Sequence, residues 1–401
     1  MWMMRVGDEE YFATCRNLSE SLDRTKEAHS MDLQPTVVDL FCGAGGLSEG
    51  FRQAGFCVLL GSDIDPVYGK TFSASHDGAT FIAKPIQHLT SQEILKNTGL
   101  RRGELDVLVG GPPCQGYSVY NHGRGEHDPR AGLFREYLRI VKDLSPKWLV
   151  MENVTGLLSI SGGALVRTIA DEIAKLGYSV EWKVLRAEEY GVPQERRRVV
   201  FIANRIGFQS DHPEVTHGDS GLPLTTIWDA IGDLSPIFDN IAPTYVNTPV
   251  NAFQRAMRVA RGPLLNHYGP RLGKINQERI RHIPQGGSWR DIPFELLPEG
   301  MKRAKRSDHT KRYGRPRPTD LACTILTKCD IHWGAYIHPI QNRALTVREA
   351  ARLQSFPDHF EFFGSMTEQF VQVGNAVPPL MAAAIARHIA PSLALRAALA
   401  A

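Results

Sequence analysis

The chain has 401 residues, 42% of them hydrophobic, and a formal net charge of +3, enough for one large or two ordinary domains with buried cores. No apolar run approaches a membrane span, and the opening MWMMRVGDEE has neither the apolar stretch nor the small-residue cleavage site of a secretory signal, so a soluble, cytoplasmic protein is expected. The six cysteines (15, 42, 57, 114, 323 and 329) form no CxxC pair and no zinc-finger grouping, which argues against a disulfide framework or a structural metal.

Residues 1–35 are largely polar and read as an N-terminal extension. Patterned sequence begins at Thr36, where TVVDLF is followed by the glycine-rich CGAGGLSEGF, a segment suited to a helix, and CVLLGSDID. Strand, glycine turn, helix and strand make a βαβ unit. Further buried-strand runs follow at DVLVGG, KWLVMENV and RRRVVFIAN, separated by segments such as GLFREYLRIVKDL and GALVRTIADEIAKLG with apolar residues at helical spacing. This alternation predicts an open α/β sheet over 36–204. After about residue 205 it gives way to proline- and glycine-rich sequence, a second and smaller irregular domain over 205–363. Helical order returns at LTVREAARLQSF, where Thr346 and Glu349 have capping-box spacing, and in the alanine-rich tail after Pro379, so 364–401 is expected to complete the first domain.

The small net charge hides an asymmetry. From Arg255 to Pro318 there are sixteen Lys/Arg against five Asp/Glu, a local +11 that leaves −8 for the rest of the chain. Glycines, prolines and aromatics interleave with these cations, as in NHYGPR and KRYGRPRP, which suits a loop-rich surface facing a phosphate-bearing partner; a merely solvated basic face is the alternative.

The glycine turn carries the first chemical signal. Gly43, Gly45 and Gly46 permit positive φ and close approach of a ligand to the backbone, and Asp63 stands at the end of the next strand, where an acid accepts hydrogen bonds from a ribose. Ser48 occupies the third glycine position of GxGxxG, and no GKT or GKS is present to hold phosphates, so a phosphate-free nucleoside such as S-adenosylmethionine fits better than NAD or ATP; simple packing is the other use of such a turn. Cys114 follows the strand DVLVGG at the carboxyl edge of the sheet, behind Pro112 and Pro113, which fix φ and aim the thiol. Such a placement suits a nucleophile in an activating environment. Taken alone it also suits a small buried hydrophobe.

Six segments together resemble the DNA (cytosine-5) methyltransferases: DLFCGAGGLSEGF (39–51), GGPPCQGYS (110–118), MENV (151–154), QERRR (194–198), RALTVREAARLQSFPD (343–358) and GNAVPP (374–379), in that family's order. The resemblance implies a Rossmann-like, S-adenosylmethionine-dependent methyltransferase fold with a smaller target-recognition domain. It implies catalytic roles for Cys114 as nucleophile at cytosine carbon 6, Glu152 at ring nitrogen 3, and Arg198, supported by Arg196, at the carbonyl oxygen. It places Phe41 against adenine, Ile64 at a position where some members carry an aromatic that stacks on adenine, Gly43 and Gly45 beside the methionine portion, Asp63 on the ribose and Asn375 near the methionine end. Pro85 departs from the family, which usually has an acid there that accepts from the adenine amino group. Gln115, Ser118, Arg130 and Thr324 are the implied DNA contacts, with loops at 285–287 and 312–317 as candidate groove readers. Double-stranded DNA is the implied partner, and the restriction-modification type brings a separate cognate endonuclease, a monomeric enzyme and a nucleoid association with it. An RNA cytosine methyltransferase and a catalytically silent DNA-binding relative are the alternatives.

Overall fold

Thr36–Leu40 forms the central strand β1, and its Val37, Val38 and Leu40 are fully buried because the strand is covered on both faces. The structure is a computed structural model that describes residues 34–113, 132–219, 221–237, 245, 247–258 and 264–400. Seven strands make one sheet: β1, β2 (Cys57–Asp63), β3 (Thr80–Ala83), β4 (Val107–Gly110), β5 (Trp148–Val154), β6 (Ser179–Arg186) and β7 (Arg197–Asn204), in the order β3-β2-β1-β4-β5-β7-β6. The pairs β1/β2, β1/β4, β2/β3 and β4/β5 are parallel, whereas β7 runs antiparallel to β5. Strand order reverses between β1 and β4, which opens a crevice at their carboxyl ends. The result is an open, mostly parallel Rossmann-like sheet with one antiparallel strand.

Helices α1 (Gly46–Gln53), α2 (Pro66–Ser75), α3 (Ser91–Thr98), α4 (Leu133–Leu144) and α5 (Ala164–Lys175) connect these strands. The periodic pattern of GLFREYLRIVKDL does what it predicts: α4 buries Phe134, Tyr137, Leu138, Ile140, Val141 and Leu144 along one face. The Tyr137 hydroxyl stays satisfied in that core by donating to the Leu108 carbonyl at 2.9 Å.

The chain divides into two compact units. Counting the described residues alone, one lies within 34–185, 197–214 and 382–400, and the other within 186–196 and 215–381. The stretch 364–381, expected from sequence to complete the catalytic domain, groups with the second unit, as does 186–196. Within that second unit the helices are short: α6 (Ile227–Ile231), α7 (Ala252–Met257), α8 (Lys274–Arg281), α9 (Glu299–Lys302), α10 (Val347–Leu353) and α11 (Met366–Asn375). Thr346 caps α10 in the capping box its spacing predicts. The last helix, α12 (Pro379–Ala400), starts in the second unit and continues into the first.

Buried arginines hold the irregular unit together where regular hydrogen bonding does not. Arg315 donates to the carbonyls of Ile280, Ile283, His338 and Gln341 and to Asn342 Oδ1. Arg348 donates to the carbonyls of Leu265, Pro357 and Phe360, and Arg352 forms a bidentate pair with Asp358 at 2.6 Å. An apolar cluster of Ile280, Ile283, Trp289, Ile292, Met301, Tyr313, Ile331 and Ile337 fills the space between the loops.

Candidate active site

Register places the first unit's motifs on one edge of the sheet. Leu40 pairs with Ser62 on β2 and with Gly110 on β4, and Gly110 pairs with Met151 on β5. The residues that follow each of these, Phe41–Gly45, Asp63–Ile64, Gly111–Pro113 and Glu152–Asn153, therefore emerge side by side at the carboxyl edge, where doubly wound sheets bind ligands.

The turn after β1 is tight. Phe41 has φ 59°, Gly43 φ 54° and Gly45 φ 95°, and the non-glycine Phe41 in this region marks backbone strain of the kind that collects at functional sites. Asp63 holds the turn by accepting from the Gly43 amide at 2.9 Å. Burial pushes the Asp63 carboxyl above its ordinary range. A Cβ on Gly45 would stand 2.5 Å from His76 Cε1, whereas one on Gly43 would meet nothing within 4 Å. Gly45 is thus required by packing, and Gly43 borders open space.

Ser48, which breaks the dinucleotide fingerprint, donates from Oγ to Asp39 Oδ2 at 2.7 Å, with both residues fully buried. Burial raises the Asp39 carboxyl to about 7. Ile64 is 66% exposed at the strand end. Pro85 opens a short 3-10 turn at 86–88 beyond β3, and the neighbouring Lys84 amide donates to the Asp63 carbonyl at 2.9 Å.

At the other side of the edge, Glu152 Oε1 lies 2.5 Å from Arg198 Nε, and both side chains are largely shielded from water. The antiparallel ladder explains how they meet. Glu152 pairs with Val200 and Val154 with Arg198, so the two are diagonal neighbours on one face of β5/β7, a separation that a long arginine side chain spans. Gly111 backs this carboxylate: a Cβ there would stand 3.1 Å from Glu152 Oε2. Asn153 donates to the Pro112 carbonyl at 2.9 Å and fixes the proline corner that precedes Cys114. Sequence reasoning missed this role of Asn153; its signal was the MENV motif, read for its acid alone. Cys114, Gln115, Ser118 and Arg130 lie outside the described residues.

Arg196 is placed otherwise than as a companion of Arg198. It is buried in the second unit, where it donates to the carbonyls of Ile325 at 3.2 Å, Gly374 at 2.8 Å and Ala376 at 2.9 Å. Gln194 holds the same loop by accepting from the Ile325 amide at 3.0 Å. Thr324, beside it, donates to the Glu195 carbonyl at 2.6 Å. Asn375 is exposed at the C-terminus of α11 in the same unit. The loops at 285–287 and 312–317 are joined by main-chain bonds from Gly286 to Arg315 and from Arg315 to Gly287. Arg315, grouped with its neighbours as a groove reader, is a buried clamp, so its donors are spent within the protein; Arg317 is exposed. Among the described residues no group of His, Cys, Asp and Glu could hold a metal ion, and no helix is long and apolar enough to cross a membrane.

An open α/β sheet with a glycine turn at the end of its first strand, and an acid–arginine pair two strands away on the same edge, defines a Rossmann-like transferase. Residues 35–391 match the family described as C-5 cytosine-specific DNA methylase, and the chain belongs to that family. It is 37% identical over 356 residues to the Type II methyltransferase M1.HphI of Haemophilus parahaemolyticus, covering 88% of this chain and 86% of that protein. Identity to the Type II methyltransferase M.AgeI of Thalassovita gelatinovora is 33% over 423 residues, covering 88% and 98%. Among solved structures, a prophage-encoded DNA modification methyltransferase of E. coli superposes with a TM-score of 0.72 at 25% identity, covering 90% of this chain and 99% of that one. The S. pombe Dnmt2 methyltransferase shares the fold, with a TM-score of 0.56 at 15% identity. The protein is a DNA cytosine-5 methyltransferase.

Proposed function

We infer that the enzyme takes its methyl group from S-adenosylmethionine and uses a covalent adduct between Cys114 and a flipped-out cytosine of duplex DNA. The donor fits the turn after β1: Gly43 borders open space, Asp63 offers a carboxylate at the end of β2, and exposed Ile64 offers an apolar surface next to it. Phe41 and Ile64 would pack on adenine, Asp63 would take the ribose hydroxyls, and Gly43 and Gly45 would line the methionine portion, for which the family resemblance also implies Asn375. The bound donor supplies an electrophilic methyl on a sulfonium. With proline at the usual acid position, the adenine amino group would turn to a main-chain carbonyl near Pro85.

Carbon 5 of cytosine is too poor a nucleophile to accept that methyl unaided. The Cys114 thiolate adds to carbon 6, and the displaced electron pair makes carbon 5 nucleophilic; Glu152 holds and protonates nitrogen 3, and Arg198 binds the carbonyl oxygen. After carbon 5 is methylated it loses its proton to a base, and the electron pair left behind expels the thiolate. The observation that carries this reading is the Glu152–Arg198 pair behind the Pro112–Pro113 corner: it offers an acid and a fixed cation beside the position from which Cys114 departs. The second unit, with its basic run from 255 to 318, serves target recognition with Thr324 as an expected DNA contact, and Gln115, Ser118 and Arg130 of the catalytic loop are the other expected contacts. The base must leave the stack, at a cost of a few kcal/mol. A cytoplasmic, nucleoid-associated monomer acting apart from a cognate endonuclease fits this role.

The test is methyl transfer from labelled donor to duplex DNA, single-stranded DNA and transfer RNA side by side, followed by base-resolved mapping. Methyl groups on carbon 5 of cytosine in one recurrent duplex sequence are expected. Transfer to RNA with none to duplex would overturn the reading.

A further inference from the structure

Trp333 is half exposed in the second unit and presents a large apolar face at the surface. Two cations flank it: Arg312 Cζ lies 4.9 Å and Lys328 Nζ 5.5 Å from the ring centroid. The backbone beneath is held firmly. Tyr313 donates to the Ile331 carbonyl at 2.7 Å, Gly314 to Gly334 at 3.3 Å and Ile337 to Gly314 at 3.1 Å, which ties the turn of Arg312 to the loop of Trp333. Lys328 ends the CTILTK segment, whose Ile325 is gripped by Gln194 and Arg196 and whose Leu326–Thr327 backbone rests against Gly374 so closely that a Cβ there would come within 2.5 Å. The acids near the cluster are occupied: Glu195 pairs with Lys311 at 3.1 Å, and Asp330 pairs with His332.

We propose that Trp333, with Arg312 and Lys328, is a duplex-gripping cluster that sets the affinity of target recognition: the cations bind backbone phosphates while the indole packs against the sugars and base edges between them. The ring orders two long side chains that would otherwise lose rotamer freedom on binding, and its apolar face is covered when the duplex arrives. Phosphate contacts position a protein on DNA, and an aromatic fixed among them adds contact to the groove wall. The inference rests on duplex DNA being the substrate.

Full-length wild type, Trp333→Phe, Trp333→Ala and the double variant Arg312→Ala/Lys328→Ala are compared for binding to one cognate duplex over a salt series, with methyl-donor binding and methyl transfer read in the same samples. Trp333→Ala is expected to weaken duplex binding about tenfold and Trp333→Phe less than about threefold, because phenylalanine keeps most of the apolar face that the duplex covers and alanine keeps almost none. The double variant should flatten the slope of log affinity against log salt by about two, one for each phosphate contact. Donor affinity should not change in any variant. Wild-type duplex affinity in Trp333→Ala, or an unchanged salt slope in the double variant, would overturn the cluster while leaving methyl transfer by the wild type to speak for the function itself.

Discussion

Glu152 and Arg198 are joined across β5 and β7, with Oε1 2.5 Å from Nε, only because β7 runs antiparallel to its neighbour. A parallel β7 would carry its first residues to the far edge of the sheet. The pairing holds the carboxylate in a fixed direction next to the proline corner and keeps a permanent cation where the carbonyl oxygen of the base is expected.

Glu152→Gln keeps the shape of the side chain and removes its ability to donate and take back a proton. Turnover is expected to fall about a hundredfold or more, within the span of general acid–base contributions, with donor affinity unchanged. Single-turnover methylation beside equilibrium donor binding separates the two; equal loss in both would mean that Glu152 merely holds up the fold.

Gly45→Ala and Gly43→Ala should differ sharply. Both impose positive φ on a side chain, but only the Gly45 variant drives a Cβ to 2.5 Å from His76. Thermal melting without ligand is expected to drop further for Gly45→Ala, with overpacking adding about 1–3 kcal/mol to the backbone strain. Similar melting of the two variants would contradict the packing role.

Asp39 makes a pH prediction. Burial raises its carboxyl from an ordinary 3.8 to about 7, so across that interval the folded chain keeps a proton that the unfolded chain has lost. Its contribution is complete below the lower value and is lost as pH rises through the upper one. Asp39→Asn should flatten the fall in melting temperature across this window and melt higher than wild type on its alkaline side. Parallel melting curves for the two proteins would refute it.

Arg196→Lys tests the clamp on the recognition loop. A lysine ammonium cannot reproduce the planar fork that reaches Ile325, Gly374 and Ala376. Leaving buried carbonyls unpaired costs about 1–3 kcal/mol each, so a clear loss of stability and of duplex affinity is expected, while proton transfer through Glu152 persists in the protein that remains folded. Unchanged denaturant unfolding in Arg196→Lys would return Arg196 to a role at the base.

These residues also show what a sequence reveals and what it conceals. β1, β2, β4, β5 and β7 were legible because strands covered on both faces become short continuous apolar runs. β3 and β6 were not: both are edge strands, and SVEWKVLR leaves most of its side chains exposed or half-buried. The glycine turn and Asp63 stood out through spacing, and Glu152 through the resemblance of MENV to the family's motif. The orientation of β7 did not, since αβ alternation is silent about a strand that turns back. The arginines were harder to place. Arg196 reads from its motif as a companion of Arg198, and Arg315 as one cation of the basic run, yet each is a buried hub for carbonyls of an irregular chain, a role set by tertiary contacts far apart in sequence. Asn153 was hidden differently, being an amide whose partner is the main chain of Pro112.

The central claim is a covalent bond from Cys114 to the target base. Duplex DNA with 5-fluorocytosine at the methylated position, incubated with enzyme and S-adenosylmethionine, should give a stable adduct, because the fluorine cannot leave as the carbon 5 proton does. Peptide mass spectrometry should place that adduct on Cys114, and Cys114→Ser should form none while still binding duplex. Methylation of ordinary duplex without any trapped complex, or with the adduct on another residue, would contradict the account.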